Sequence, residues 1–298
     1  MSLRAELVRL GVRRLIKRRG PHATIEDARQ RMHAVAAWVP LAPRGTKIVS
    51  VDAGGVPADH VETRPSRPHH TVLYLHGGGY VTGSPSLYRH FTWRIATATH
   101  ATVLAIDYRL APEHPVPAAL EDAVAAYRWL LANGGDPRRT MFMGDSAGGG
   151  LALAALLKLR DDDLPLPAAV AVLSPWTDLA LTGQSVGTNA RADPMVNVED
   201  ARLFAASYLA GTDPRSPYAS PLYGDPAGLP PALIHVGSDE ILLDDAVRMA
   251  DKLRATGRHV ELEIWPRMPH VWHLFAPVLP EAHQAIARIG AFAQCWLE

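Results

Sequence analysis

Met141-Phe142-Met143-Gly144-Asp145-Ser146-Ala147-Gly148-Gly149-Gly150-Leu151 passes from a strand-like apolar stretch into a small-residue helical one, with a G-x-S-x-G pattern at the junction. A serine on a sharp strand-to-helix turn has its hydroxyl thrust out of the fold, and flanking glycines let neighbouring backbone pass close by. Gly and Ser also fill ordinary turns, so five letters alone carry little. The strand before them and the helical run through Leu157 after them supply the context the pattern requires. A nucleophilic serine, Ser146, is therefore expected at the end of a buried strand.

Working outward, the alternation continues. Thr71 to Leu75, Thr102 to Ile106, Thr140 to Met143, Ala168 to Leu173, Ala232 to Val236 and Val260 to Ile264 are of strand length and mostly continuous in their hydrophobicity. Strands buried on both faces read this way. Helical segments are predicted at 86–99, 116–132, 148–160, 241–256 and 282–296. The fold class is α/β, a mostly parallel sheet sandwiched by helices. Lys47 to Val51 and Val61 to Thr63 add an antiparallel edge.

Two regions break the pattern. Residues 1–40 read as two amphipathic helices before the sheet starts. Residues 177–215 separate two strands by more than a crossover needs and hold a helix near 199–209. Both are candidate lids over the carboxyl ends of the strands, where open α/β sheets bind ligands.

Composition narrows the classes. With 298 residues, 48% of them apolar and 20% charged, the chain can bury a sizeable core. Zero formal net charge argues against a nucleic-acid partner. One cysteine, Cys295, excludes an intrachain disulfide and fits a reducing, cytoplasmic compartment. The N-terminus carries Arg4, Arg9, Arg13, Arg14, Lys17, Arg18 and Arg19 against Glu6. A membrane-surface or transit-peptide reading exists for such a start. A solvated helix face, with Leu3, Leu7, Leu10 and Leu15 turned inward, is the expectation preferred, and no integral membrane segment is expected.

A serine hydroxyl needs a base to take its proton, and the base needs an acid to hold its tautomer. On a G-x-S-x-G sheet these follow in the order Ser, Asp or Glu, His, each just past a strand end. Asp239 follows the strand Ala232 to Val236 across Gly237-Ser238, and His270 follows Val260 to Ile264 by way of Pro266 and Pro269. These are the expected acid and base. Glu240, Asp244 and Asp245 are rivals to Asp239, the last two assigned to the solvent side of the next helix. His273 is the rival to His270. His69, His70, His100 and His259 are read as surface residues.

His76-Gly77-Gly78-Gly79 directly follows the strand Thr71 to Leu75. Developing negative charge in acyl transfer calls for backbone N–H donors, and consecutive glycines let the chain approach it. The plain alternatives are a Gly-rich turn and a phosphate loop, and the second fits poorly, because neither G-x-x-x-x-G-K-[ST] nor G-x-G-x-x-G is present. No metal-binding pattern and no cofactor motif appear. His76 is read as structural.

Together these residues resemble the hormone-sensitive-lipase-type (bacterial family IV) esterases of the α/β-hydrolase superfamily. The motifs carrying the resemblance are His76-Gly77-Gly78-Gly79-Tyr80, Asp107-Tyr108-Arg109-Leu110-Ala111-Pro112-Glu113, Gly144-Asp145-Ser146-Ala147-Gly148-Gly149, Asp239-Glu240 and Met268-Pro269-His270. They run in family order over roughly residues 60–280. The resemblance implies an α/β-hydrolase fold with a helical cap, Ser146 as nucleophile, His270 as base and Asp239 as its orienter. It implies an oxyanion hole from the N–H groups of Gly78, Gly79 and Ala147, with Gly77 completing the motif. Residues 1–45 would form the cap segment and 46–298 the catalytic domain, with 177–215 contributing to the cap. Tyr108 to Glu113 would brace the nucleophile turn, and Asp145 would serve as a helix N-terminal carboxylate.

The implied substrate is a small-molecule ester with a short- to medium-chain acyl group, and a homodimer is in keeping with the family. A lactone or amide hydrolase would use the same triad. A non-catalytic small-molecule receptor is disfavoured by the complete Ser146, Asp239 and His270 set. Trp38, Tyr80, Trp93, Trp176, Phe204 and Tyr208 are candidate pocket or cap aromatics, each equally suited to the core.

Overall fold

The computed structural model describes all residues except 1, 17–19, 37–39 and 68. Lys17, Arg18, Arg19 and Trp38 therefore lie outside the described residues. In chain order the elements are α1 Leu3–Ile16, α2 Ile25–Ala36, β1 Lys47–Asp52, β2 Pro57–Glu62, β3 Thr71–Leu75, α3 Pro85–Thr99, β4 Thr102–Ile106, α4 Ala118–Ala132, β5 Thr140–Asp145 and α5 Ala147–Asp161. They continue with β6 Ala169–Leu173, α6 Ser185–Thr188, α7 Val198–Leu209, β7 Ala232–Gly237, α8 Leu243–Ala255, β8 Val260–Trp265 and α9 Pro280–Trp296.

The strands form one sheet in the order β1-β2-β4-β3-β5-β6-β7-β8. β1 pairs antiparallel with β2, and β2 with β4, while every pair from β4 to β8 is parallel. β3, β5, β6 and β7 are buried along their whole length, which explains their unbroken apolar runs. Side chains alternate between two cores. Leu73, Leu75 and Phe142 pack with α4, α5 and α8, whereas Val72, Tyr74, Met141 and Met143 pack with α3 and α9.

β2 starts earlier than its expected span because polar residues lie inside it. Asp59 is buried within that strand, its carboxylate held by Arg89 at 2.6 and 3.0 Å. A paired carboxylate fits a strand that pattern reading assigns to loop.

The parallel register aligns the strand ends. Leu75 lies beside Gly144, Asp145 beside Leu173, Leu173 beside His235 and Gly237 beside Trp265. The turns after β3, β5, β6, β7 and β8 therefore gather along one edge, and every expected site residue lies in one of them.

Helix α1 departs from expectation. Leu3, Leu7, Leu10 and Leu15 are 79%, 62%, 51% and 66% exposed, while Ala5 and Val12 are buried. The inward face carries Arg9, which pairs with Glu6 at 3.2 Å and with Asp239 at 3.3 Å. Two small apolar side chains and the Arg9 ion pairs, not the leucines, seat this helix on the protein. Helix α2 is seated by Arg29, which donates to the carbonyls of Val81 and Ala111 and grips the Glu113 carboxylate with both terminal nitrogens.

Asp245 also differs from expectation: it is fully buried, accepting the N–H groups of Thr177 and Asp178 at 2.8 Å. Burial, with the charge of nearby Asp178, pushes its carboxyl up to about 8. Asp244 accepts the N–H of Ser185 at 2.9 Å. Both aspartates bind the start of the inserted segment 177–215 to α8. His70 is buried, contrary to its surface assignment.

Candidate active site

Ser146 stands between β5 and α5 with φ 53° and ψ −122°. A non-glycine residue rarely adopts a positive φ, and at such a turn the strain holds the hydroxyl outward. The turn is fixed by backbone. The Ser146 N–H donates to Leu173 at 2.8 Å, and the Ser146 carbonyl accepts from Trp176 at 2.9 Å. A Cβ on Gly148 would lie 2.1 Å from the Leu75 carbonyl oxygen, so only glycine lets α5 start this close to β3.

His270 reaches the serine from the turn after β8. Its Nε2 is 2.9 Å from Ser146 Oγ, and its Nδ1 is 2.7 Å from Glu240 Oε2. An ionised carboxylate only accepts, so Nδ1 carries the proton and Nε2 is left to accept from the serine. Burial alone would lower the imidazole pKa. The Glu240 hydrogen bond and charge, aided by Asp193 and Asp145, raise it above the ordinary histidine value instead.

The acid in contact with the base is thus Glu240, and the expectation for Asp239 is corrected. Adjacent residues of the turn point to opposite sides. Glu240 is fully buried and turns inward, where Oε1 also accepts from Ser174 Oγ at 2.8 Å and from the Gly237 N–H at 2.5 Å. Asp239 turns outward to Arg9 and to Ser238 Oγ at 3.0 Å. Glutamate also has one more methylene with which to span from the turn to the ring.

Other groups in this arrangement had no sequence signal. Ser174 joins acid and base, donating to Glu240 and accepting the N–H of Val271 at 3.1 Å. Segment 185–193 grips the acid turn. Asn189 Nδ2 donates to the carbonyls of Ser238 at 3.1 Å and Glu240 at 2.9 Å. Buried Asp193 accepts the N–H of Ile241 at 3.0 Å, and Ser185 Oγ donates to the Ile241 carbonyl at 2.7 Å. An Asp or Asn in a long insertion looks like any loop residue until the fold brings it to the site.

The glycine loop lies at the end of β3, next to the nucleophile turn. The Gly77 N–H is taken by Asp145 Oδ1 at 2.9 Å, so Gly77, grouped with the oxyanion hole as part of the motif, has no N–H to offer there. The N–H groups of Gly78 and Gly79 meet no protein acceptor among the described residues. Gly78 has φ 121°, and a Cβ there would lie 2.1 Å from the Thr82 carbonyl oxygen. Ala147 opens α5, and first-turn amides have no partner within the helix.

Asp145 is not the expected helix-end carboxylate. It is buried and accepts from Tyr74 at 2.5 Å, Tyr88 at 3.0 Å and Gly77, tying the nucleophile turn to the glycine loop. Burial outweighs these donors and pushes its carboxyl up to about 6. His76 stacks on Tyr108 with ring centroids 4.3 Å apart, and burial holds its pKa down to about 4. The Tyr108 hydroxyl donates to the His76 carbonyl at 2.7 Å. The Tyr108 to Glu113 segment therefore braces the glycine loop, where the nucleophile turn was expected.

His273 is buried behind the site, its Nε2 3.0 Å from His235 Nδ1. Among the aromatics, Phe204 of α7 lies against Gly79, where an added Cβ would fall 2.4 Å from its ring. Tyr80 stacks on Tyr208 at 3.8 Å, with Trp176 at 6.3 Å, and Trp93 sits under the Arg94 guanidinium at 4.2 Å. No group of three or more ligating side chains suited to a metal occurs among the described residues.

A family model described as an alpha/beta hydrolase fold matches residues 72–274. An acetyl-hydrolase of Streptomyces hygroscopicus is 53% identical over 230 residues, which cover 77% of each chain. An esterase of Acinetobacter venetianus is 34% identical over 248 residues, covering 83% of this chain and 82% of that one. Among solved structures, an esterase from the bacterial hormone-sensitive lipase family superposes with a TM-score of 0.95 at 47% identity, covering 100% of this chain and 99% of that one.

Proposed function

The chain belongs to the hormone-sensitive-lipase-type (family IV) esterases of the α/β-hydrolase superfamily and is a carboxylic ester hydrolase, and from that premise we propose that it acts through Ser146, His270 and Glu240 on esters with short- to medium-chain acyl groups. One observation carries the choice of residues: the unbroken Ser146–His270–Glu240 chain of 2.9 and 2.7 Å contacts.

In the acylation step Ser146 Oγ attacks the ester carbonyl carbon as its proton passes to His270 Nε2. The tetrahedral oxyanion is met by the N–H groups of Gly78, Gly79 and Ala147. Glu240 stays ionised and stabilises the imidazolium, which then protonates the departing alcohol. Water enters, gives its proton to His270, and the second tetrahedral intermediate collapses to free the acid and Ser146. Residues 1–45 and part of 177–215 serve as the cap. The Phe204 ring packed against Gly79 of the glycine loop supports a small acyl group, as does similarity to an acetyl-hydrolase.

Hydrolysis of p-nitrophenyl esters of rising acyl length tests the proposal, with Ser146→Ala alongside. Turnover of the butyrate ester, falling by about 10⁴-fold or more in the folded variant, is expected. Equal rates in the variant would contradict the nucleophile assignment, and a preference for long chains would contradict the substrate class.

A further inference from the structure

Helix α1 wears its chemistry inside out. An amphipathic helix on a soluble protein turns leucines to the core and charges to water. Here the inward contacts are two small apolar side chains, Ala5 and Val12, with the ion pairs of Arg9 and Glu6 beside them, while the large apolar side chains Leu3, Leu7 and Leu10, at i, i+4 and i+7, form an outward stripe. Arg14 continues that stripe one turn on, and Arg4 and Arg13 lie to either side; all three are exposed. The one acid of the helix, Glu6, is engaged with Arg9 and with Arg267 at 3.1 Å. Apart from Gly11, the exposed residues of the described helix are therefore leucines and arginines.

We propose that this face docks the protein onto an anionic lipid surface, with the leucines entering the headgroup layer and the arginines pairing with phosphates. Charge decides the occupant. A twofold contact with a second copy would set the arginines of one α1 against those of the other, and like charges oppose such pairing. A layer of anionic headgroups satisfies both halves of the face, apolar depth and positive rim. No described helix is long and apolar enough to cross a membrane, so the contact is peripheral.

The docked orientation follows from the inner face. Arg9 holds Asp239 in the acid turn, and Glu6 holds Arg267 in the turn leading to His270. A helix is about 10 Å across, so docking sets those turns one helix diameter from the lipid. On the esterase reading, on which this clause alone rests, esters dissolved in the bilayer would then be within reach.

Sedimentation of the full chain with vesicles tests the docking without reference to activity. The vesicles are phosphatidylcholine alone, or with about a third phosphatidylglycerol. The wild type should bind the anionic vesicles, and about 1 M salt should release most of it. Leu7→Ser/Leu10→Ser and Arg4→Glu/Arg14→Glu should each bind about tenfold or more weakly, with far-UV circular dichroism and melting temperature retained. Absent vesicle binding by the wild type, equal binding to neutral lipid, or undiminished binding by either folded variant would overturn the proposal. So would a dimer, measured by light scattering, that dissociates in the leucine variant.

Discussion

The turn that carries Ser146 and the turn that carries Glu240 end neighbouring regions of one sheet, yet they are held by different means. The nucleophile turn is backbone against backbone: Ser146 bonds Leu173 and Trp176 through its own amide and carbonyl, and Gly148 lets the Leu75 carbonyl come within a side chain's width. The acid turn is held by side chains. Asn189, Asp193 and Ser185 reach it from an insertion about fifty residues earlier, and Ser174 reaches it from the end of β6. The first geometry is written in adjacent residues, so a change there is all or nothing. The second is shared among several donors, so it can be loosened by degrees and its electrostatics tuned.

The sharpest way to break the backbone-built turn is Gly148→Ala. Its methyl would sit 2.1 Å from one carbonyl oxygen and 2.4 Å from another. Ester turnover should fall by about 10³-fold or the chain should fail to accumulate folded. Near-normal kinetics in a soluble variant would mean that the turn has more room than its contacts imply.

The side-chain-built turn should yield more gently. Asn189→Ala leaves two turn carbonyls without their donor, and kcat should drop about tenfold. Asp193→Asn keeps the shape but removes a charge that raises the His270 pKa. Because His270 must be neutral to accept the serine proton, activity rises with pH through its pKa, above about 6.5 in the wild type. The acidic limb of kcat/KM should move to lower pH in Asp193→Asn. A limb that stays in place would show that Asp193 acts by hydrogen bonding alone.

Behind the acid turn, buried His235 and His273 are both held below the ordinary histidine value by burial, His235 down to about 4. A depressed histidine pKa means that protonation favours the unfolded chain. The stability they confer is therefore complete above about pH 6.5 and lost as pH falls toward 4. Denaturation midpoints over that range should decline, and less steeply in His235→Phe. The smallest effect is expected at Arg9→Ala, which frees the outward-facing Asp239 and leaves Glu6 its contact with Arg267. Turnover should stay within about twofold, and the melting temperature should fall by no more than about 2 °C. A large loss of turnover would mean that α1 shapes the acid turn directly.

Much of this architecture was legible before the structure. The strands β3 and β4 match their apolar runs to the residue, and β5, β6 and β7 shift by one or two, because burial on both faces leaves an unambiguous pattern, whereas the half-exposed β2 starts four residues before its expected span. Ser146 and His270 were legible from strand-end position. The choice between Asp239 and Glu240 was not, since adjacent carboxylates differ only in which way a turn throws them. That direction is set by Ser174, Asn189 and Arg9, residues remote in sequence. The leucines of α1 misled for a related reason: helical period predicts a face, but what the face meets is decided by the partner surface.

Glu240 holds His270, and Asp239 faces Arg9 instead. That assignment is tested by kcat/KM for p-nitrophenyl butyrate in Glu240→Gln and Asp239→Asn, measured side by side with the wild type. A fall of about 10³- to 10⁴-fold is predicted for Glu240→Gln, whose amide no longer fixes the tautomer, and less than about threefold for Asp239→Asn. The reverse pattern, or equal large losses in both, would contradict it.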